Sequence, residues 1–256
     1  MNPFSDRHMA IGYARARPGV HPHVIALLDD WLSGRRFDRV LDVGCGAGLS
    51  TRPLLGLARA CVAIDPSEAM VAAARQVVPE AVSLVAAAEA IPLPDRAIGL
   101  ATAAGSLNFA RDLDACWPEL ARVIEPDGVL AVYDFSVART FASGDTTGLV
   151  RAFGAFAGRY PSPVSQAIPL SPAILADRAP AFRLMRGESF ALPLPLTADT
   201  YVRYLLTETN VHAAIRRGVP VEDVETWLTT HVAPLFEGVQ RDLLFEGYLA
   251  VLTPRA

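Results

Sequence analysis

Three glycines at alternate positions, Gly44, Gly46 and Gly48, follow an apolar run that carries a carboxylate, Asp42, in the stretch RVLDVGCGAGLST. Glycine loses the most conformational freedom on folding, so three in one turn mark backbone with unusual dihedral angles or a close neighbour. At the end of a strand and the start of a helix, such a turn exposes backbone N–H groups and lets a ligand approach. Cys45 sits inside it. A dinucleotide fingerprint would read GxGxxG; here the spacing is GxGxG with Leu49 at the sixth position, which favours a different nucleoside ligand. Asp65 follows Gly48 by 17 residues and ends a second apolar run. A carboxylate there can accept hydrogen bonds from both hydroxyls of a ribose. Standing before Pro66 and Ser67, it can equally cap the next helix.

These residues need a sheet to position them, and the surrounding pattern supplies one. VLDV (40–43), CVAI (61–64), VSLVA (82–86), IGLATAA (98–104) and VLAVY (129–133) read as strands. Each is mostly apolar without clean alternation, as expected when helices cover both faces of a parallel sheet. Between them, SEAMVAAARQVV and LDACWPELARVIEPDG carry helical spacing, the second ending at Pro126 and Gly128 and interrupted by Pro118. Two further strands are expected near 183–194 and 241–253, with helices such as ADTYVRYLLTE and VEDVETWLTTHVAPLF between them. The expectation is a doubly wound α/β fold with a mostly parallel seven-stranded, Rossmann-like sheet. Residues 1–37 form a helical N-terminal cap, 38–136 a cofactor-binding core, 137–240 lid insertions around one strand, and 241–256 the last strand, all within one domain.

Composition narrows the chemistry. The chain has 256 residues, 52% of them apolar and 20% charged, with a net charge of −4. That balance gives no general attraction to nucleic acid. It contains no lysine, which removes Schiff-base chemistry and a P-loop lysine. Cys45, Cys61 and Cys116 lack metal-ligand spacing, so no metal is expected and the thiols read as buried groups in a reducing compartment. The first residues contain no apolar signal region, and no stretch would span a bilayer as a helix. A cytoplasmic protein with no membrane partner is expected; oligomeric state is left open.

LDVGCGAG (41–48), AIDPSEAM (63–70), AEAIPLPD (88–95) and LARVIEPDGVLAVYDFS (120–136) resemble the successive motifs of class I S-adenosylmethionine-dependent methyltransferases, in particular the small-molecule group with a type-11 methyltransferase domain. The resemblance implies S-adenosylmethionine as cofactor. It implies that Asp42 and the Gly44–Gly48 turn hold its methionine part, that Asp65 binds the ribose beside Pro66, that Met70 packs on the adenine, and that Ala88 and Glu89 flank the adenine edge. YARARPGVHP resembles an N-terminal segment that folds over the cofactor, with Tyr13 against it and Arg17 on its carboxylate. Two positions depart from the pattern: Ala87 stands where relatives carry an acidic residue, and Gly99 where the fourth strand usually has an Asp. Glu89 is the expected substitute.

Methyl transfer from a sulfonium is an in-line displacement in which positioning and dryness count for more than a strong acid. A general base is needed only for a protonated nucleophile. Asn108 and Phe109 after the fourth strand, Phe135 after the fifth, and Trp227 in the lid are the expected pocket wall around a small, largely apolar acceptor. Asp134 and Asn108 are the candidate catalytic groups. Non-methylating chemistry on the same fold, such as a cyclisation, and a non-catalytic binding module are the alternatives.

Overall fold

The computed structural model describes residues 17–163 and 167–255. The first helix, α1 (Val20–Trp31), buries Val20, Val24, Ile25 and Leu28, one face at helical spacing. The core then alternates: β1 (Phe37–Val43), α2 (Thr51–Leu54), β2 (Ala58–Asp65), α3 (Glu68–Val77), β3 (Val82–Val85), β4 (Ile98–Ala104), a 3-10 turn (Leu107–Phe109), α4 (Leu113–Val123) and β5 (Ile124–Phe141). There follow α5 (Thr147–Arg159), α6 (Pro172–Arg178), β6 (Phe182–Leu196), α7 (Ala198–Leu206), α8 (Thr209–Arg216), α9 (Val221–Val232) and β7 (Arg241–Pro254).

Among the described residues the strands form one seven-stranded sheet in the order β3-β2-β1-β4-β5-β7-β6. The first five strands are parallel. β7 runs antiparallel between β5 and β6. The order reverses between β2-β1 and β4, where ligands of open α/β sheets settle beyond the strand ends. The expected α/β fold is therefore observed.

Side chains alternate between the two covered faces. Val40, Leu100, Ala131 and Tyr133 pack on one face with α1 and the lid helices, whereas Leu41, Ala101, Leu130 and Val132 face α4 and α6. The helix α4 runs straight through Pro118, and the Asp112 carboxylate caps it by accepting N–H bonds from Asp114 and Ala115. β5 is longer than VLAVY suggests, because beyond the parallel section it continues as the partner of β7 to Phe141. The helix α6 arises in a Pro- and Ser-rich stretch with no helical pattern, capped by Ser171 and begun on Pro172. β6 closes one sheet edge and carries Pro193 and Pro195, which cannot donate to an added strand. Among the described residues no helix is long and apolar enough to cross a membrane.

Candidate active site

The glycine turn joins β1 to α2 with Gly44, Gly46 and Gly48 at φ of +70°, +52° and +90°. All three lie in the left-handed region that other residues avoid. Each glycine answers a different need. A Cβ on Gly44 would overlap the Ser106 side chain, and one on Gly48 would stand 3.1 Å from Val78 and 3.4 Å from the Ala74 backbone. A Cβ on Gly46 would meet nothing within 4 Å, so this part of the turn faces open space. The N–H groups of Gly44 and Cys45 both donate to the Ile64 carbonyl, at 2.8 and 2.9 Å, which ties the turn to β2. Cys45 is buried, and burial pushes its thiol far above the ordinary value.

Asp65 closes β2 against this turn. Its Oδ2 accepts the Gly46 N–H at 3.0 Å and its Oδ1 accepts the Ser67 N–H at 2.8 Å. The cap of α3 is Ser67, which accepts from the Met70 N–H. Asp65 thus spans the turn and the helix start, and each carboxylate oxygen keeps a lone pair for another donor. Burial raises its pKa, and the two N–H bonds pull it back down. Pro66 is exposed beside it.

Asp42 takes a different place from the expected one. It is fully buried, its Oδ2 accepting from Ser50 and Thr51 at 2.7 and 2.6 Å and its Oδ1 from Thr102 at 3.1 Å. Three hydroxyls take up this carboxylate, so it braces β1, β4 and the start of α2 from below instead of facing the crevice. Burial raises its pKa, and the three hydroxyl bonds oppose that shift. Met70 is buried against Ala47 and Ala73. Ala88 is half-buried, but Glu89 turns toward the next loop, its Oε1 accepting the N–H groups of Arg111 at 2.8 Å and Asp112 at 3.2 Å. Ala87 has no acidic neighbour in Glu89's carboxylate, which is held by that loop. Gly99 has a packing reason, since a Cβ there would come within 2.8 Å of the Phe37 ring.

On the acceptor side, Asn108 is buried, and its Nδ2 donates to Asp134 Oδ2 at 3.3 Å. The backbone carbonyl of Asn108 accepts the Ile168 N–H at 2.7 Å, which brings the segment before α6 over this spot. Asp134 Oδ1 accepts the Phe135 N–H at 2.8 Å, and burial raises its pKa. Gly105 leaves room for this carboxylate, because a Cβ there would stand 2.8 Å from Oδ1. The two candidate catalytic groups, Asn108 and Asp134, are thus hydrogen-bonded to each other. Two expected pocket residues stand elsewhere. Phe109 turns 57% of its surface outward. Trp227 stacks within the lid on Phe156, Tyr160 and His231, with His231 at 4.0 Å between ring centroids. Its large ring finds more apolar contact between α5 and α9 than at the strand ends.

Three residues join the site that sequence patterns did not single out. His21, on the first turn of α1, lies edge-on to Tyr133 and Phe135, its Nδ1 2.9 Å from the Tyr133 hydroxyl. Burial, reinforced by Arg17, lowers its pKa to about 4, so the imidazole is neutral near pH 7. Glu208, just before α8, pairs with Arg17 at 3.2 Å, and the Arg17 guanidinium stands 4.8 Å over the Tyr204 ring. Arg17 thereby links the N-terminal segment to the lid. Tyr248, on β7, stands directly across from Asp134. Tyr13 lies outside the described residues.

The carboxyl end of the sheet therefore holds an open glycine turn with a carboxylate beside it, and a second polar group at β4 and β5 under a helical lid. Residues 41–132 match the family model for a methyltransferase domain. An uncharacterized methyltransferase of Mycobacterium tuberculosis is 35% identical over 162 residues, 63% of this chain and 62% of that protein. The chain thus spans about three fifths of the length of that relative. A demethylmenaquinone methyltransferase of Mycolicibacterium vanbaalenii is 35% identical over 128 residues, 49% of this chain and 55% of that protein. The solved structure of a putative type II methyltransferase from Anaeromyxobacter dehalogenans has the same fold, with a TM-score of 0.61 at 23% identity over 90% of this chain and 95% of that one. Residues 41–132 are thus similar in sequence to a methyltransferase domain, and the chain shares the fold of a solved putative methyltransferase.

Proposed function

We propose that this protein transfers a methyl group from S-adenosylmethionine to a small, largely apolar acceptor. One observation carries the cofactor half: the Asp65 carboxylate closes the open side of a left-handed glycine turn at the switch point of the sheet. The residues there fit the cofactor. Gly46 presents side-chain-free backbone to open space, and Asp65 keeps lone pairs for two ribose hydroxyls. Met70 packs on Ala47 of the turn, Ala88 is half-buried, and Arg17 of the N-terminal segment pairs with Glu208 of the lid. Bound S-adenosylmethionine would supply an activated methyl group on a sulfonium.

The protein's own part is then positioning and exclusion of water. Asp42 ties the start of α2 to β1 and β4 through Ser50, Thr51 and Thr102, so that the turn between them is held in place before binding. His21, Tyr133 and Phe135 make an aromatic wall on the lid face, and Asn108 with Asp134 makes a polar end on the other. Apolar lid helices over this space favour an uncharged acceptor. Calorimetry with S-adenosylmethionine on the wild type and Asp65→Ala tests the reading. Binding by the wild type and a loss of at least about tenfold in the variant is expected, the size of a charge-assisted hydrogen bond pair. Equal affinity in a variant that melts like the wild type would refute the ribose contact.

A further inference from the structure

Tyr248 carries a buried polar atom that the fold itself does not explain. The residue is 9% exposed, and its hydroxyl is buried with no hydrogen-bond partner among the described residues. A buried hydroxyl without a partner costs about 1–3 kcal/mol, and phenylalanine would fill the same space without that cost. Such an orphan calls for an explanation in something the protein holds only part of the time.

Its surroundings say what that is. The ladder of β5 and β7 sets Tyr248 opposite Asp134, so the two side chains rise from the same face of the sheet. The Asp134 charge reaches the phenol and adds to burial in pushing its pKa upward, which keeps it a protonated donor. Asp134 itself is half-buried. One oxygen of Asp134 is engaged by the Phe135 N–H and the other by Asn108 Nδ2, so each retains one lone pair. A hydrogen-bond donor and an acceptor thus stand on facing positions of β5 and β7, one residue past the end of the β4 pairing.

Resting on the methyl-transfer reading above, we propose that Tyr248 and Asp134 receive a hydroxyl oxygen of the acceptor, making an alcohol or phenol the substrate class. An hydroxyl oxygen has one proton and two lone pairs. It donates the proton to Asp134, accepts from Tyr248, and keeps one lone pair to attack the sulfonium methyl group; as the O–C bond forms, the S–C bond breaks with its electron pair left on sulfur, and the proton passes to Asp134. An amine nitrogen has a single lone pair, and accepting from Tyr248 would consume it. A carboxylate has no proton to give Asp134. The polar pair selects oxygen in its protonated form.

The test uses the full chain loaded with S-adenosylhomocysteine and two probes, para-nitrophenol and para-nitroaniline, titrated by calorimetry against the wild type and Tyr248→Phe. The expected result is that para-nitrophenol binds the wild type and binds the variant about tenfold more weakly, one net hydrogen bond. The aniline, which offers donors to Asp134 but whose one lone pair is delocalised into the ring and is a poor acceptor for Tyr248, binds both proteins equally. The empty variant melts at or above the wild-type temperature, because it loses only an unpaired hydroxyl. Equal para-nitrophenol affinity in the two proteins, or none in a wild type that holds S-adenosylhomocysteine, overturns the assignment of Tyr248 and leaves the methyl-transfer reading standing. A wild type that fails to bind S-adenosylhomocysteine overturns both. A variant that melts well below the wild type shows the hydroxyl to be structural and overturns the assignment.

Discussion

His21 offers a quantitative test of how the N-terminal helix closes over the strand ends. Its imidazole sits between the Tyr133 and Phe135 rings with Arg17 nearby, and burial is the larger cause of its lowered pKa. In the unfolded chain the ring protonates near 6.5, and in the folded protein near about 4. Between those values the unfolded state binds more protons, so the contribution of His21 to stability is complete above the upper value and is lost as pH falls toward the lower one. At about 1.4 kcal/mol per pH unit, the gap corresponds to up to about 3 kcal/mol. That is a large share of the stability of a domain this size.

The perturbation is His21→Asn, which keeps a hydrogen-bonding group near the Nδ1 position beside the Tyr133 hydroxyl but does not titrate. Urea unfolding followed by tryptophan fluorescence, from pH 7 down to pH 4, gives the free energy of each protein. Asp42, Asp65 and Asp134 are shifted upward by burial and contribute with the opposite sign, stability growing as pH falls through their folded values. Subtracting the variant from the wild type removes that common background. The difference should shrink by about 3 kcal/mol across the window. Parallel curves would mean that the imidazole is solvated in the folded protein, and the closed position of α1 over Tyr133 would be refuted.

Other expectations are narrower. Gly46→Ala costs about 1 kcal/mol of stability for a left-handed alanine, since its Cβ meets nothing, yet it weakens S-adenosylmethionine binding because that Cβ enters the crevice; calorimetry beside a melting curve separates the two effects. Gly48→Ala loses more stability than Gly46→Ala, because the Cβ also presses on Val78 and the α3 backbone; an equal melting temperature for the two variants would contradict the packing described. Arg122→Ala costs about 2 kcal/mol, measured by urea unfolding, because its guanidinium binds Glu119 and the carbonyls of Ile91 and Leu93 and so holds the loop before β4. In Asp134→Asn the stability falls less than in the wild type as pH rises above the ordinary carboxylate value near 3.8, Asp42 and Asp65 still contributing; a wild-type advantage growing with pH would reverse the sign derived from burial.

Much of this molecule is written locally in its sequence. The run IGLATAA coincides with β4 because seven small or apolar residues bounded by turns have one stable fate between two helical layers. The glycine turn and Asp65 were legible for the same reason: strand, turn and helix start are contiguous, and left-handed backbone demands glycine wherever it stands. What is decided within a few residues of itself needs no knowledge of the rest. α6 escaped that logic, since only a Ser171 cap and the packing of Leu175 make a helix of its Pro-rich stretch.

The identities of partners belong to the tertiary structure alone. Asp42 looks like a ligand contact until Thr102, from another strand, joins Ser50 and Thr51 on its oxygens. Glu89 looks free for an adenine until the loop at Arg111 and Asp112 turns its N–H groups toward it. Tyr133 and Asp134 are neighbours in the chain yet serve opposite faces, one meeting His21 and the other Asn108. Strand alternation makes them opposite. Which face receives α1, and which strand sets Tyr248 beside Asp134, follows from sheet order and register, which are fixed only when segments far apart in sequence bury their apolar faces together.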